Sequence, residues 1–512
     1  MRALAVAVLV LCASSQAKSE DVKVSSSNEL AEAVAGAKAG TRVLLARGTY
    51  RGGLSRRGLQ GTKERPIVFQ SADPEHPATI EGGGSGLHLS SPVYVEIRDL
   101  VFSGAEANGL NIDDGGSKDA PAHHVTLAGL VVKNNGPRGN RDGIKLSGLA
   151  DFTIENCTVD RWGTSGSGID MVGCRNGTVA GCTFKHSGAD YANGVQAKGG
   201  SEQITIRRCR FEDAGGRAIN IGGSTGLDYF RPKPQGYEAK DITVEDCTLV
   251  GSMAAIAFVG VDGATVRHNT IYRPTRWVVR ILQENQDKSF VACRNGRFEN
   301  NLIAFRSDEV RATINVGGGT APETFAFQEN VWVCLDRPSA TRQLVQLPTK
   351  EVNGRYDIDV RFRSPEKGDY RPVDAPGKTG VRAEPVGDSF VPRALGMELP
   401  LITSPDQLDD YVGRLVALRG VVTTSKLAYI AGVFVDADDS LRGREAYAIG
   451  ILVRFDARES VQGKRAIVST SNGQLRYLLY SDVAGSSAKA RPIPGPSNRS
   501  VPQTSSPVSR GN

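Results

Sequence analysis

Asp142, Lys145, Asp170, Asn193, Gln196, Lys198, Arg217 and Asn220 bring two carboxylates, two amines, a guanidinium and three amides into one region of the chain. That mixture suits removal of a proton α to a carboxyl group, which needs a base and a cation beside the enolate that forms. A lysine crowded by other cations can lose enough basicity to act as the base. Lys198 has the position for it, and Lys145 or Arg217 is available as the cation. Asp170 beside Lys145 reads most simply as an ion pair. A hydrolytic alternative places Asp142 and Asp170 as two carboxylates across a scissile glycosidic bond.

Something must gather residues so far apart in sequence, and a repeat does. Ile204-Thr205-Ile206-Arg207-Arg208-Cys209-Arg210-Phe211 shows it plainly: apolar, often Thr, apolar, two polar residues, Cys or Asn, one residue, apolar. The Cys/Asn position is filled by Cys157, Cys182, Cys209, Cys247, Asn269, Asn301 and Asn330, and less clearly upstream by Leu100 and Leu130. Those positions lie 22 to 38 residues apart, the length of one solenoid coil and too short for an independent domain. Each octad supplies two short strands with a bend between them. A third strand precedes it, as in Gly143-Ile144-Lys145-Leu146, Gly168-Ile169-Asp170-Met171 and Gly194-Val195-Gln196-Ala197. Three strands per coil make a parallel β-helix of three sheets, with apolar residues inward by the two-residue period.

The register then predicts an outward column on the third sheet: His88, Asn111, Lys145, Asp170, Gln196, Asn220, Ala257, Arg280 and Asn315, with Asp113, Ser147, Val172, Lys198 and Gly222 beside it. Columns of polar residues ~4.8 Å apart form a trough suited to a chain-like ligand such as a polysaccharide. Asn193, Gln196, Asn220 and Arg280 are candidate ligand contacts. Between Ile221 and Asp241 the chain detours through an insertion whose Tyr229, Phe230 and Tyr237 either stack on sugar faces, while Arg231 and Lys233 meet carboxylates or sulfates, or pack the loop onto the β-helix. Residues 283–294 leave the same edge of the sheet, and Trp277 is either a sugar platform or a coil-end filler.

These coils, with the segment from Asn28 to Tyr50, resemble the right-handed parallel β-helix proteins of the pectate-lyase-like superfamily over residues 22–395. The resemblance implies an all-β, right-handed, three-sheet β-helix with an N-terminal capping helix. It is less specific for activity, because that scaffold carries lyases, hydrolases, epimerases and adhesins. Residues 194–211, GVQAKGGSEQITIRRCRF, resemble the catalytic segment of β-helix alginate and chondroitin lyases, which implies Lys198 as base and a uronic-acid polymer as substrate. Two departures go with it. Ile221-Gly222-Gly223 stands where that family has Arg-His-Gly, and Tyr191 and Asn193 stand where carboxylates would hold calcium. No cofactor is therefore expected; calcium is the metal the resemblance raises, and its ligands are not found. Asn111-Ile112-Asp113-Asp114-Gly115 resembles the β-helix pectin hydrolases only superficially, without their Gly-His-Gly and Arg-x-Lys elements.

At the N-terminus, Arg2, an apolar run over 3–13 and Ser15-Gln16-Ala17 read as an export signal cleaved near Ala17. Cys12 raises a lipoprotein alternative that Leu11 disfavours. No other stretch approaches the ~20 apolar residues that span a bilayer. Ser26 and Glu29 form a capping box opening a helix to about Lys38, followed by a strand over 41–50. Export permits disulfides, but stacked cysteines point the same way, so the Cys row reads as small buried residues at a bend. Residues 336–400 read as a connecting strap. Residues 401–481 read as a small OB-like β-barrel with a helix at 405–411 and five strands, at 415–422, 430–435, 447–454, 466–469 and 475–480, and residues 483–512 as a disordered tail. The formal net charge of +6 is mild for the length and gives no reason to invoke nucleic acid. Four expectations follow: an exported protein, monomeric, with a polysaccharide partner of acidic type, and either a lyase or a non-catalytic carbohydrate-binding scaffold.

Overall fold

The computed structural model describes residues 20–186, 191–356, 358–373 and 379–381, and beyond these only short strands between 393 and 492. Contacts group the chain into two units, Met1–Arg382 and Ala383–Asn512.

In the first unit the octads become two of three parallel sheets. Sheet 1 has 12 strands, from Glu20–Val24 to Ala326–Gln328; sheet 2 has 11, from Thr49–Arg51 to Val331–Cys334. Sheet 3 has 10, from Leu54–Arg57 to Ala312–Val316, and is the sheet of the candidate column. In all three, each strand pairs in parallel with that of the next coil, so every inward side chain meets its counterpart above and below. Ile204, Ile206 and Phe211 of the model octad are buried, and Phe184 and Phe211 of neighbouring coils stack at 4.8 Å. The bend between sheets 1 and 2 has a backbone cause. The residue just before the Cys/Asn position lies in the left-handed region in coil after coil: Asp99, Gly129, Asn156, Gly181, Arg208, Asp246, His268, Asn300 and Glu329. Gly, Asn and Asp enter that region at least cost, which explains the octad's polar fifth place.

The Cys/Asn position is fully interior. Cys157, Cys182, Cys209 and Cys247 are unpaired thiols, each pointing at a carbonyl of the preceding coil at 3.6 to 3.8 Å. From Asn269 onward amides replace them. Asn269 Nδ2 donates to Asn301 Oδ1 and Asn301 Nδ2 to Asn330 Oδ1, both at 3.0 Å, and Asn330 Nδ2 ends the ladder on Glu351 Oε1 at 2.7 Å.

Ser26 caps a helix over Ser27–Gly36, with both halves of the capping box made and Leu30 and Val34 buried over the end of the core. The strand expected over 41–50 divides into Thr41–Leu45 and Thr49–Arg51, which belong to different sheets. At the start of the β-helix, two strands escaped the sequence reading. Glu20–Val24 precedes the helix and pairs with Thr41–Leu45; Leu54–Arg57 has a single apolar residue and pairs with Leu87–Ser90. Over 336–373 the strap includes an antiparallel pair, Phe362–Ser364 with Asp369–Pro372, whose Phe362 and Tyr370 rings meet Tyr272 of sheet 2 at 5.2 and 4.7 Å.

The second unit has a sheet ordered Leu401–Ile402, Leu415–Val421, Glu445–Phe455, Arg476–Tyr480, Val433–Phe434, Tyr429–Ile430, with Arg491–Pro492 beside Glu445–Phe455. The single strand expected over 430–435 is instead an antiparallel pair of two-residue strands. The export signal, the helix at 405–411, the strand at 466–469 and the rest of the 483–512 tail lie outside the described residues. Among the described residues no helix is long and apolar enough to cross a membrane.

Candidate active site on sheet 3

Sheet 3 aligns Ser55, His88, Asn111, Lys145, Asp170, Gln196, Asn220, Ala257, Arg280 and Asn315 opposite one another. This is the column read from the octad, one residue longer at its start. On one side Ser167, Asn193, Arg217, Ala254, Trp277 and Ala312 form a second column. On the other, Arg57, Ser90, Asp113, Ser147, Val172 and Lys198 form a third.

Charge concentrates on Asp170, which is buried. Its Oδ2 accepts from Lys145 Nζ and lies 3.5 Å from Lys198 Nζ, so two ammonium groups share one oxygen. Its Oδ1 is buried without a hydrogen-bond partner. Lys145 also lies 3.7 Å from Asp142 Oδ2, while Asp142 Oδ1 accepts from the Ser167 amide at 2.7 Å. Burial, with repulsion from Asp170, pushes the Asp142 carboxyl up to about 6. For Lys145, burial alone would favour the neutral amine, but Asp170 and Asp142 outweigh it and hold the group above its ordinary value. Gln196 ties the second row together. Its Oε1 accepts from Lys198 Nζ at 3.2 Å, Ser167 Oγ at 3.4 Å and Asn193 Nδ2 at 3.5 Å.

Arg217 is engaged elsewhere: it donates to Asn220 Oδ1 at 3.0 Å and to Glu284 Oε1 at 2.5 Å. Arg280 donates to Asn315 Oδ1 at 3.0 Å and lies over the Trp277 ring, with Arg276 also over that ring. Trp277 is mostly buried under these guanidinium groups and presents no bare face to a sugar. At the other end of the trough His88 Nε2 meets Asp113 Oδ2 at 2.6 Å. Burial opposes ionisation of Asp113, but hydrogen bonds from His88 and the Gly115 amide outweigh it and hold the carboxyl below its usual range.

Residues 78–271 match the family model described as "Right handed beta helix region". This unit is a right-handed parallel β-helix. No curated protein matches the chain. Among solved structures, an alginate lyase from Paenibacillus sp. str. FPU-7 aligns at 18% identity and TM-score 0.41, over 58% of this chain and 97% of that one. Pectate lyase Pel9A aligns at 14% and 0.41, over 62% and 80%. The A-module of Azotobacter vinelandii mannuronan C-5 epimerase AlgE4 aligns at 13% and 0.40, over 65% and 92%. Likeness at this level assigns no activity.

The insertion of the β-helix folds back along the sheet 3 edge rather than reaching over it. Arg231 Nε donates to Asp114 Oδ2 at 2.6 Å, and Asp114 is fully buried. A Cβ at Gly148 or Gly173 would strike Arg231, so both coils leave room for it. Phe230 is buried against Phe290 of the second loop. Arg231 and Phe230 therefore anchor the loop, which for Phe230 is the packing alternative to a ligand contact. Tyr237 donates to Glu202 Oε2 at 3.0 Å on sheet 1, away from the trough, and burial pushes its hydroxyl up to about 12. Lys233 is exposed on the loop, and Tyr229 is exposed as well. The β-helix thus gathers Lys145, Asp170, Asn193, Gln196 and Lys198, places Arg217 and Asn220 on the next coil, and leaves Arg280 further along.

Sequence reasoning missed Glu238, Glu284 and Asn285, and gave Asp114 no part in fixing the loops. Glu238 and Asp114 carry one faint signal: each is an acidic residue flanking a strand where the repeat asks for none. Among the described residues no group of three or more His, Cys, Asp or Glu side chains is arranged to hold a metal ion.

Proposed function

We propose that this chain is an exported protein that binds an acidic polysaccharide along sheet 3 and cleaves it by β-elimination. As the neutral amine, Lys198 takes the proton α to a uronate carboxyl while Lys145 supplies the positive charge beside the enolate; as the C4–O bond breaks and C4=C5 forms, the Lys198 ammonium gives that proton to the departing oxygen. The observation that carries the reading is the sharing of Asp170 Oδ2 by two lysines of different standing. Lys145 is held charged by two carboxylates, which suits an electrostatic role and not a base. Lys198 stands in the third column with a single carboxylate neighbour, 3.5 Å away, where Lys145 has two. A hydrolytic mechanism is less well served, because Asp142 and Asp170 are both buried and bonded within the cluster and do not flank an open cleft.

The same ion pairs favour a second reading, a binding trough without chemistry, since each ammonium already has a carboxylate. One experiment separates the two. The purified chain is incubated with alginates, pectates and glycosaminoglycans, with and without calcium, and ultraviolet absorbance from a new C4=C5 bond is followed. Absorbance that Lys198→Ala abolishes supports elimination with Lys198 as base. Product formation unchanged in that variant removes the assignment, and polymer binding without absorbance leaves the binding trough.

A further inference from the structure

Glu238 ends the long insertion, immediately before the sheet 1 strand Ala239–Glu245, and its side chain is fully buried. Four donors converge on its carboxylate. Oε2 accepts from the Gly199 amide at 2.9 Å and from Thr225 Oγ1 at 2.7 Å. Oε1 accepts from the Thr225 amide at 2.8 Å and from Asn285 Nδ2 at 3.0 Å. Those donors belong to three different segments: the turn that follows Lys198, the start of the first loop, and the second loop. Asn285 Nδ2 also reaches the Thr225 carbonyl at 3.3 Å, and the Gly200 amide donates to the Glu238 carbonyl at 3.0 Å. One buried side chain therefore closes the corner where the trough floor meets both of its walls.

Building on the reading of this trough as the working site, we propose that Glu238 is its positioning residue. It fixes the backbone directly after Lys198, and with it the placement of the Lys198 amine against Asp170 and Gln196, while clamping the loops at 225 and 285 to the same point. The chemistry demands a carboxylate. Each of its oxygens accepts two donors, so an amide in its place must turn an NH2 toward one pair. Turned one way it orphans the Gly199 amide; turned the other it orphans the Thr225 amide and leaves Asn285 Nδ2 with only the Thr225 carbonyl. A buried donor stripped of its acceptor opens that point of the backbone by about tenfold. Among the described residues the carboxylate's hydrogen bonds come from Gly199, Thr225 and Asn285 alone, so the effect centres on those three points.

The test uses the full chain and its Glu238→Gln variant, read in three ways. Hydrogen exchange at the Gly199 and Thr225 amides should rise about tenfold in the variant. Labelling of Lys198 by an amine-reactive reagent, mapped by mass spectrometry across a pH series, should change in rate and in pH profile, with Lys38 at the far end of the solenoid as the unchanged control. Where the chain makes unsaturated product, turnover should fall more than affinity for the polymer does. If Glu238→Gln does not fold, Thr225→Val and Asn285→Ala each remove one donor from outside the carboxylate and should shift Lys198 labelling in the same direction. Folded variants in which Gly199 exchange and the Lys198 labelling profile both match the parent overturn the proposal. A chain that makes no unsaturated product overturns the elimination reading only, because exchange and labelling are read without any substrate.

Discussion

Two columns run the length of the β-helix at one residue per coil, and they solve opposite problems. The inner column passes from Leu100 and Leu130 through four cysteines to Asn269, Asn301 and Asn330, and each member meets its own kind or a close substitute in the next coil. Its bonds are homotypic, so it can be extended by adding coils. The outer column on sheet 3 never repeats a residue between adjacent coils from His88 to Asn315. Lys145 is answered by Asp170, Gln196 by Ser167 and Lys198, and Arg280 by Asn315. A fold needs only the first column. The second costs desolvation of charge and gives the core nothing, which is what makes it the candidate site.

The sharpest way to break that contrast is to remove the charge at its centre. Asp170→Ala leaves the Lys198 ammonium without its carboxylate and Lys145 with only the more distant Asp142. Uncompensated charge this close to burial costs about 3–5 kcal/mol, measured as the loss of unfolding free energy in a denaturant titration. A loss under about 1 kcal/mol would make the cluster an ordinary solvated surface.

Asp142 offers a test by pH. Its carboxyl is raised to about 6 in the folded chain from an ordinary 3.8, so between those values the folded state holds more protons than the unfolded one. Stability from this group is therefore greatest below pH 4 and declines as pH rises to 6, by up to about 3 kcal/mol. Asp142→Asn keeps the shape and should flatten that part of the stability curve, followed by thermal or denaturant unfolding across pH 4 to 7. A slope that survives the substitution places the proton elsewhere in the trough.

The inner column predicts a smaller loss. Asn301→Ala removes the acceptor of the Asn269 amide at 3.0 Å and the donor to the Val266 carbonyl at 3.0 Å. With both of these groups on the preceding coil losing that partner, about 2 kcal/mol of stability should go, read by the same titration. A near-zero cost would mean that the Asn side chains only fill space.

How far these columns could be read from the sequence follows from the same contrast. The octad repeats because the interior imposes the same demand on every coil, and periodicity alone therefore located the inner bends, the three sheets and the register of the outer column from His88 to Asn315. The cluster at Lys145, Asp170, Gln196 and Lys198 came with that register. What periodicity could not show was which outward residue is already engaged. Phe230 and Arg231 look like ligand contacts until Phe290 and Asp114, distant in sequence, are seen to hold them. Glu238 was invisible for a related reason: its four donors come from three segments that only the closed coil brings together. Leu54–Arg57 was missed because a strand at the solenoid's end has little to bury on one side.

The smallest effect expected is also the most direct probe of the inner column. Cys247 is the last thiol before the amide ladder, and the Asn269 oxygen already accepts its backbone N–H at 2.9 Å. Its Sγ sits 3.7 Å from the Ile206 carbonyl, the place where the ladder's Asn side chains put their amide nitrogen. Cys247→Asn would therefore find an acceptor in front of it, a partner behind it, and the Cys209 amide, now 3.4 Å from sulfur, as a donor to its oxygen. The ladder should lengthen by one coil with a stability change under about 1 kcal/mol in either direction, since two buried hydrogen bonds are gained against a slightly larger side chain. A loss of several kcal/mol would show that the thiol coils are packed more tightly than the amide coils, and that the two halves of the inner column are not interchangeable.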